Sequence, residues 1–288
     1  MATRVPDSPD SPISPLLNTT FTVHKTTPVV GSSSLPPFDQ PACNKYLLSL
    51  RRRIKPFLDL LPHNDSQTES TAAAGAWTAR HHDGLTIHSI TFPLCKFILL
   101  VRRQQATTTT QISDQERRLV VFTRANRQLH DVFVTWLEMY FDIIVRPVKL
   151  SSTFILRFVQ DHVLACHRNQ STTPVRLDFT TGIPQLKIIT LAFEPDDVIK
   201  FARPTAAAIA GSSDDGNSGV LARMLDHMEN TTGLKFAQID IARAACSGGV
   251  IGADGRIKFI VGSSDASNWH MVFVETWVAN LAGLVWTA

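Results

Sequence analysis

A glycine-rich stretch near the C-terminus, CSGGVIGADGRIKFIV at 246–261, could in principle bind phosphate. Such a loop needs its glycines between a strand and a helix, because the N-terminus of the helix holds the phosphate. Here the segment after Gly255 is RIKFIV, which is typical of a strand, and Asp254-Gly255 is a strong signal for a two-residue hairpin turn. The stretch therefore predicts a β-hairpin rather than a nucleotide site.

Other residues that could do chemistry have simpler explanations. His162, Cys166 and His167 fall at helical spacing, so two of them could contact one metal ion, but no further group of ligands accompanies them. Asp196 and Asp197 fit the first turn of a helix, where acidic side chains are favoured. No G-x-x-x-x-G-K-[ST], H-E-x-x-H, C-x-x-C or G-x-S-x-G motif occurs. We therefore predict no catalytic residue, no metal site and no cofactor.

The composition indicates a folded chain. Its 288 residues are 44% hydrophobic and 18% charged, which is enough apolar content for a core. No apolar run approaches the roughly 20 residues that cross a bilayer, and the Asp- and Pro-rich first residues do not resemble a secretory signal. The cysteines at 43, 95, 166 and 246 have no paired spacing. They are predicted to be buried thiols of an intracellular protein.

Basic residues provide a better lead, because they are unevenly distributed. Residues 41–150 contain 15 Lys and Arg against 9 Asp and Glu. On one shared face, these side chains would contact nucleic-acid phosphates without reading the base sequence. A solvated surface with acids nearby is the alternative. The predicted DNA contacts are Arg51, Arg52, Arg53, Lys55, Arg102, Arg103, Arg117, Arg118, Arg124 and Arg127.

Hydrophobic periodicity predicts consecutive strands followed by helices, which favours an α+β fold with antiparallel sheets. Residues 1–15 are predicted to be disordered, 16–207 to form an N-terminal α+β domain, 208–219 a linker, and 220–288 a C-terminal sheet–helix dimerisation unit. The predicted strands are 16–30, 84–92, 95–103, 117–124, 143–151, 185–193, 234–243, 249–252 and 256–262, and the predicted helices are 42–61 (kinked or broken at Pro56), 125–141, 152–166, 195–202, 220–232 and 268–285.

The short apolar strands of the C-terminal unit predict a partner interface. An open sheet in a small unit has edges that must be paired or covered. Pairing with another chain would extend the sheet and solve this problem. The predicted interface residues lie around the hairpin and are Ile251, Arg256, Ile257, Lys258, Phe259 and Ile260.

Three stretches of the chain form a recognisable pattern: LLNTTFTVHKTTPVV (16–30), YFDIIVRPVKLSSTFILRFVQDHV (140–163) and LDHMENTTGLKFAQIDIARAACSGGVIGADGRIKFI (225–260). They resemble the fungal-type centromere protein L family, a subunit of the inner kinetochore. The third stretch carries most of the resemblance, with a helix ending in Thr-Gly, a long strand, a glycine hairpin and Gly-Arg-Ile-Lys-Phe. The first stretch departs from the family, since Thr27-Pro28-Val29 stands where Ser-Pro-Leu is expected.

The resemblance implies a non-enzymatic protein of the nucleus, located at the kinetochore of the centromere. It implies curved antiparallel sheets with packed helices, and in the C-terminal part a saddle similar to that of the TATA-binding protein. It also implies that the C-terminal sheet pairs with centromere protein N or a second copy, among other inner-kinetochore subunits, and that the heterodimer binds centromeric DNA beside the nucleosome. The alternatives are another α+β nucleic-acid-binding or scaffold module and, third, an enzyme with an unrecognised site.

Overall fold

The computed structural model describes residues 13–27, 40–58, 75–82, 85–102, 119–183, 185–202, 219–261 and 268–287. Within these ranges the strands are β1 (Thr20–Thr26), β2 (Ala76–His82), β3 (Leu85–Phe92), β4 (Cys95–Arg102), β5 (Val120–Arg124), β6 (Val145–Pro147), β7 (Val175–Ile183), β8 (Leu186–Phe193), β9 (Asp240–Cys246), β10 (Gly249–Gly252) and β11 (Arg256–Phe259). The α-helices are α1 (Gln40–Leu58), α2 (Arg127–Phe141), α3 (Ser152–Arg168), α4 (Pro195–Ala202), α5 (Gly219–Thr232) and α6 (Asn268–Thr287). They group into a C-terminal unit, Leu17–Thr19 with Lys149–Val278, and an N-terminal unit formed mainly by Thr20–Val148.

The N-terminal unit is an antiparallel sheet with two helices on one face. Its strands are ordered β2-β3-β4-β5-β1, and β6 pairs with β1. Side chains alternate between the two faces of a strand, so Phe97 and its neighbour Lys96 on β4 point to opposite faces. The ring of Phe97 stacks on Phe133 of α2 with 3.8 Å between their centroids. Helices α1 and α2 complete the core on this face.

The helices begin where the sequence provides caps. The side chain of Asn126 accepts the backbone N–H of Leu129 at 2.9 Å, at the start of α2. Ser151 does the same for Phe154 at 3.2 Å and starts α3. Pro195 is the first residue of α4, where its missing N–H has no partner to lose. The predicted helices 125–141, 152–166 and 195–202 are confirmed to within a few residues.

The strands of the C-terminal unit pair antiparallel in the order β11-β10-β9-β7-β8. Helix α3 packs on β9. The ring of Phe158 on α3 lies 6.4 Å from that of Phe259 on β11 and 5.2 Å from that of Trp277 on α6. These helices therefore cover one face of the sheet. The opposite face, called the open face below, carries the half-exposed Arg176 and Arg243.

The α+β fold class with antiparallel sheets is confirmed, and several details of the prediction are wrong. β2 and β7 are missing from the predicted strands, and the strand predicted at 143–151 is confined to Val145–Pro147. The strand predicted at 234–243 begins only at Asp240, since Phe236–Gln238 forms a 3-10 turn. Pro56 does not break α1, because it stands in the last turn, where only one backbone hydrogen bond is lost before the helix ends. The saddle shape stays a prediction.

The hairpin predicted from the glycines is confirmed, with a wider turn. Ile251 on β10 pairs with Ile257 on β11, and the N–H of Gly255 donates to the carbonyl of Gly252 at 3.0 Å. Gly255 has a φ of 80°, in the left-handed region, whereas the predicted two-residue turn requires positive φ at Asp254 as well. The glycines therefore form a bend between two strands.

Several predictions concern segments outside the described residues. The disordered N-terminus at 1–15 is described only from residue 13, and the linker at 208–219 only at residue 219, so both stay predictions. The four cysteines are buried free thiols, as predicted. None of the helices in the described ranges is long and apolar enough to cross a membrane.

Candidate interaction surfaces

The predicted DNA contacts do not share one surface. Arg51, Arg52, Arg53 and Lys55 lie on α1, where Arg52 and Lys55 are exposed and the other two half-buried. Arg102 ends β4, whereas Arg124 lies opposite Lys96 at the other end of that strand, roughly 20 Å away at about 3.4 Å per residue. Arg127 is exposed at the start of α2. The remaining three, Arg103, Arg117 and Arg118, lie outside the described residues.

The structure assembles a basic cluster that the sequence did not reveal, formed by Arg80, Lys96 and Arg124. The register of β4 and β5 places Lys96 directly opposite Arg124. Burial lowers the pKa of Lys96, and the neighbouring charges of Arg124 and Arg80 lower it further. The pairing of Lys96 with Arg124 depends on strand register, and Arg80 and Lys96 are isolated basic residues in the sequence, so the sequence alone did not reveal the cluster. The cluster lies on the sheet face opposite Phe97, and hence opposite α1.

The predicted partner interface has its apolar residues inside the C-terminal unit. Ile251, Ile257 and Phe259 are only 2%, 2% and 3% exposed, and Ile260 is half-buried with its N–H bonded to Gly248. Only the two remaining predicted residues, Arg256 and Lys258, alternate onto the open face.

Residues just before β1 lie along the outer edge of β11. The N–H of Asn18 donates to the carbonyl of Phe259 at 2.7 Å, and the N–H of Val261 donates to the Asn18 side chain at 3.2 Å. Leu17 forms a parallel bridge with Phe259. This edge of the C-terminal sheet is therefore partly occupied within the chain itself.

The other edge of the C-terminal sheet is β8, which pairs only with β7 in the described part of the chain. Its alternation is incomplete, since the first four residues are exposed or half-exposed while Leu191 and Phe193 are buried. We call Ile183, Leu186 and Ile188 the edge patch, because these aliphatic side chains are 52%, 47% and 55% exposed at one end of the hairpin. Such exposed aliphatic residues beside a free strand edge are typical of a surface that another strand covers.

A buried carboxylate organises the open face beside β8. Asp178 on β7 is 4% exposed. Its Oδ1 accepts from Arg176 Nε at 3.1 Å and Thr190 Oγ1 at 2.8 Å, and its Oδ2 accepts from Arg243 Nε at 2.9 Å and Nη2 at 2.7 Å. Burial raises the pKa of Asp178, but the hydrogen bonds from Thr190, Arg176 and Arg243 outweigh it and hold the pKa below its usual value. We call these four residues the Asp178 network; nothing in the sequence marked them.

The His–Cys pair on α3 is in contact but is not arranged for catalysis. His162 Nε2 lies 3.3 Å from Cys166 Sγ and 2.9 Å from Ser247 Oγ. Burial, with the nearby His270, lowers the pKa of His162 to about 4, and burial raises the pKa of the Cys166 thiol to about 11 despite the bond from Ser247. The pair is therefore a neutral imidazole beside a neutral thiol, not an activated nucleophile. Within the described ranges, no group of three or more His, Cys, Asp or Glu could hold a metal ion.

A comparison with family models shows which kind of protein carries these surfaces. The model for centromere protein L matches residues 15–286, which include all three stretches of the sequence resemblance. The chain belongs to the centromere protein L family. A comparison with curated proteins finds no match. Members of the centromere protein L family are structural components of the kinetochore, and the family is not a known enzyme family. This chain is therefore a kinetochore protein of the centromere that serves chromosome segregation.

Proposed function

We propose that this member of the centromere protein L family pairs with centromere protein N through the β8 edge of its C-terminal sheet, and that the pair contacts centromeric DNA within the inner kinetochore. The observation that carries the pairing is the exposed edge patch, beside the outer edge of β8, which has no partner strand in the described part of the chain. A partner strand would satisfy the free backbone groups of β8 and cover the patch in one step. The edge at β11 is a less favourable site for a partner strand, because Asn18 is bonded to it and would have to leave first.

The first test replaces Leu186 and Ile188 by lysine. Both side chains are about half exposed, so the free chain should keep its fold, because exposed positions tolerate polar substitution. In the covered interface the two lysine ammonium groups would lose their water without gaining a counter-charge, so pairing with centromere protein N should be lost. Co-expression with centromere protein N, followed by size-exclusion chromatography with light scattering, measures the pairing directly.

The matched control replaces Met139 and Ile144 by lysine. They are 63% and 50% exposed, lie in the N-terminal unit and should leave pairing unchanged. Ile257 and Phe259 are unsuitable for this test, because lysine there would enter the core and unfold the unit. A β8 variant that is folded and still forms the heterodimer contradicts the proposed edge. A parent that binds only a second copy through β8 contradicts the proposed partner.

The DNA contact is proposed for the basic cluster itself, on the sheet face opposite Phe97. Among the predicted contacts Arg124 belongs to this cluster, and Lys96 and Arg80 join it. Burial is the larger cause of the lowered pKa of Lys96, and the repulsion from Arg124 and Arg80 adds to it. A phosphate that approaches the cluster relieves this repulsion, so anion binding is favoured there. The basic run on α1 lies beyond the opposite face of the sheet, and one straight duplex cannot contact both.

Replacing Lys96 and Arg124 by glutamine should weaken DNA binding about tenfold at 100 mM salt and make the slope of log affinity against log salt shallower by about 2, since each phosphate contact contributes about 0.9. The slope is measured by fluorescence anisotropy with a labelled duplex between 50 and 200 mM salt. Replacing Arg52 and Lys55 by glutamine removes the same charge from α1 and is the matched control. If the α1 variant has the shallower slope, the helix is the contact and the cluster is not.

A further inference from the structure

The two arginines of the Asp178 network are held on different sides of one carboxylate. Arg176 shares Oδ1 with the hydroxyl of Thr190, which belongs to β8, whereas Arg243 on β9 bonds to Oδ2. One arginine would suffice to neutralise Asp178. The second leaves a net positive charge, and the Arg176 side chain is 54% exposed. The guanidinium of Arg176 is therefore held next to the edge strand, and it contacts Asp178 through Nε, so that its terminal Nη groups have no hydrogen-bond acceptor among the described residues.

We propose that the β8 edge selects an extended segment of a different chain, one that presents two aliphatic side chains and one carboxylate on the same face. This inference rests on the proposed pairing through β8 and specifies the chemistry of the partner strand. The aliphatic side chains cover Leu186 and Ile188, and the carboxylate binds Arg176.

The order of these side chains follows from the alternation of β8. Leu186, Ile188 and Thr190 lie on one face, since side chains of a strand alternate. Thr190 pairs with Asp178 across the β7–β8 ladder. A strand added outside β8 places its residues about 4.8 Å from their opposite numbers. A residue opposite Thr190 therefore lies one strand away from the Thr190 hydroxyl, which binds the same carboxylate as Arg176. A glutamate side chain at that position is long enough to reach Arg176.

Charge complementarity argues against a second copy as the occupant. Two β8 strands pairing antiparallel about Ile188 would place Leu186 of one copy opposite Thr190 of the other. The exposed face of β8, with Leu186, Ile188 and Thr190, contains no acidic residue. Self-pairing would leave the surplus positive charge of the Asp178 network, two arginines on one carboxylate, beside a newly buried surface without an added counter-charge, which costs free energy. A partner strand with a carboxylate at that position removes this cost.

Synthetic peptides test the selection directly. The antiparallel probe is Thr-Glu-Thr-Ile-Thr-Ile-Thr and the parallel probe is its reverse; both are capped and fluorescently labelled, and each has a matched form with Gln for Glu. One glutamate probe should bind the full chain at sub-millimolar concentration, with its glutamine form about fivefold weaker, as expected for a partly exposed ion pair. Anisotropy titrations measure both affinities.

The decisive measurement is the ratio of the affinity for the glutamate probe to the affinity for its glutamine form, determined for variants of the full chain. Arg176→Gln should reduce it from about 5 to about 1, while Asp178 keeps its bonds from Arg243 and Thr190. Lys258→Gln removes a charge from the same face three strands away and should leave the ratio unchanged. Ile188→Lys should abolish binding of every probe.

The outcomes separate this inference from the proposed pairing. No binding by either glutamate probe, or equal binding of the Glu and Gln forms, overturns the selection by Arg176. If full-length centromere protein N also binds the Leu186→Lys, Ile188→Lys variant, the pairing through β8 fails as well. A third outcome is that the double-lysine variant fails to bind centromere protein N, while the Arg176→Gln variant still binds the glutamate probe about 5 times more tightly than the glutamine probe. In that case pairing through β8 is supported, and the contact between the partner carboxylate and Arg176 is contradicted.

Discussion

Replacing Gly249 by alanine is expected to lower the free energy of unfolding by about 3 kcal/mol, at the upper end for overpacking. A Cβ there would overlap the backbone carbonyl oxygen of Lys258 and contact the Phe158 ring. The oxygen belongs to the neighbouring strand, so β10 and β11 must separate to make room. Thermal unfolding followed by circular dichroism should show a melting temperature about 10 °C below that of the parent.

The matched control is Gly283→Ala. Nothing lies within 4 Å of a Cβ at Gly283, and alanine is favoured over glycine in a helix by about 1 kcal/mol. This variant should therefore melt at or above the parent temperature. A Gly249→Ala protein that melts with the parent would mean that the glycine is not required by the close approach of β10 and β11.

The second large effect is an acid instability caused by three buried histidines. Burial, with a neighbouring His130, His81 or His270 respectively, lowers the pKa of His24, His88 and His162 to about 4. The unfolded chain binds these protons near pH 6.5, whereas the folded chain binds them only near pH 4. Stability is therefore complete above about pH 6.5 and falls as the pH drops towards 4, by up to about 3 kcal/mol for each histidine.

Three such groups together approach the roughly 5–15 kcal/mol that stabilises a typical domain, so the chain should unfold between pH 6 and 4. Melting temperatures measured from pH 7.5 to 4.5 give the profile. His88→Gln should make its slope shallower by about one third. His167→Gln, at the exposed end of α3, is the control and should follow the parent. An unchanged melting temperature down to pH 4.5 would contradict the burial of these rings.

Local signals predicted the helices and the hairpin because each depends on residues close in sequence. Asn126 and Ser151 sit directly before apolar residues at helical spacing. Gly255 supplies the left-handed turn that joins two short apolar strands. These features need no information about distant parts of the chain, so the sequence alone was sufficient.

The interaction surfaces depend on strand order, which local patterns do not contain. β7 was missed because VRLDFTTGI mixes apolar, charged and polar residues, as expected of a strand with one open face. Without β7, the edge at β8 cannot be recognised from the sequence, which instead points to the hairpin at β11; the interface there stays a prediction. The Asp178 network and the basic cluster join residues on different strands through register alone.

Hydrogen–deuterium exchange of the chain alone and in complex with centromere protein N shows which strand edge the partner covers. The unpaired amides of an edge strand exchange rapidly, and a partner strand that pairs with them slows the exchange. We expect new protection across β8, Leu186–Phe193, with little change at β11, Arg256–Phe259. Protection confined to β11, with β8 exchanging as in the free chain, would contradict pairing through β8.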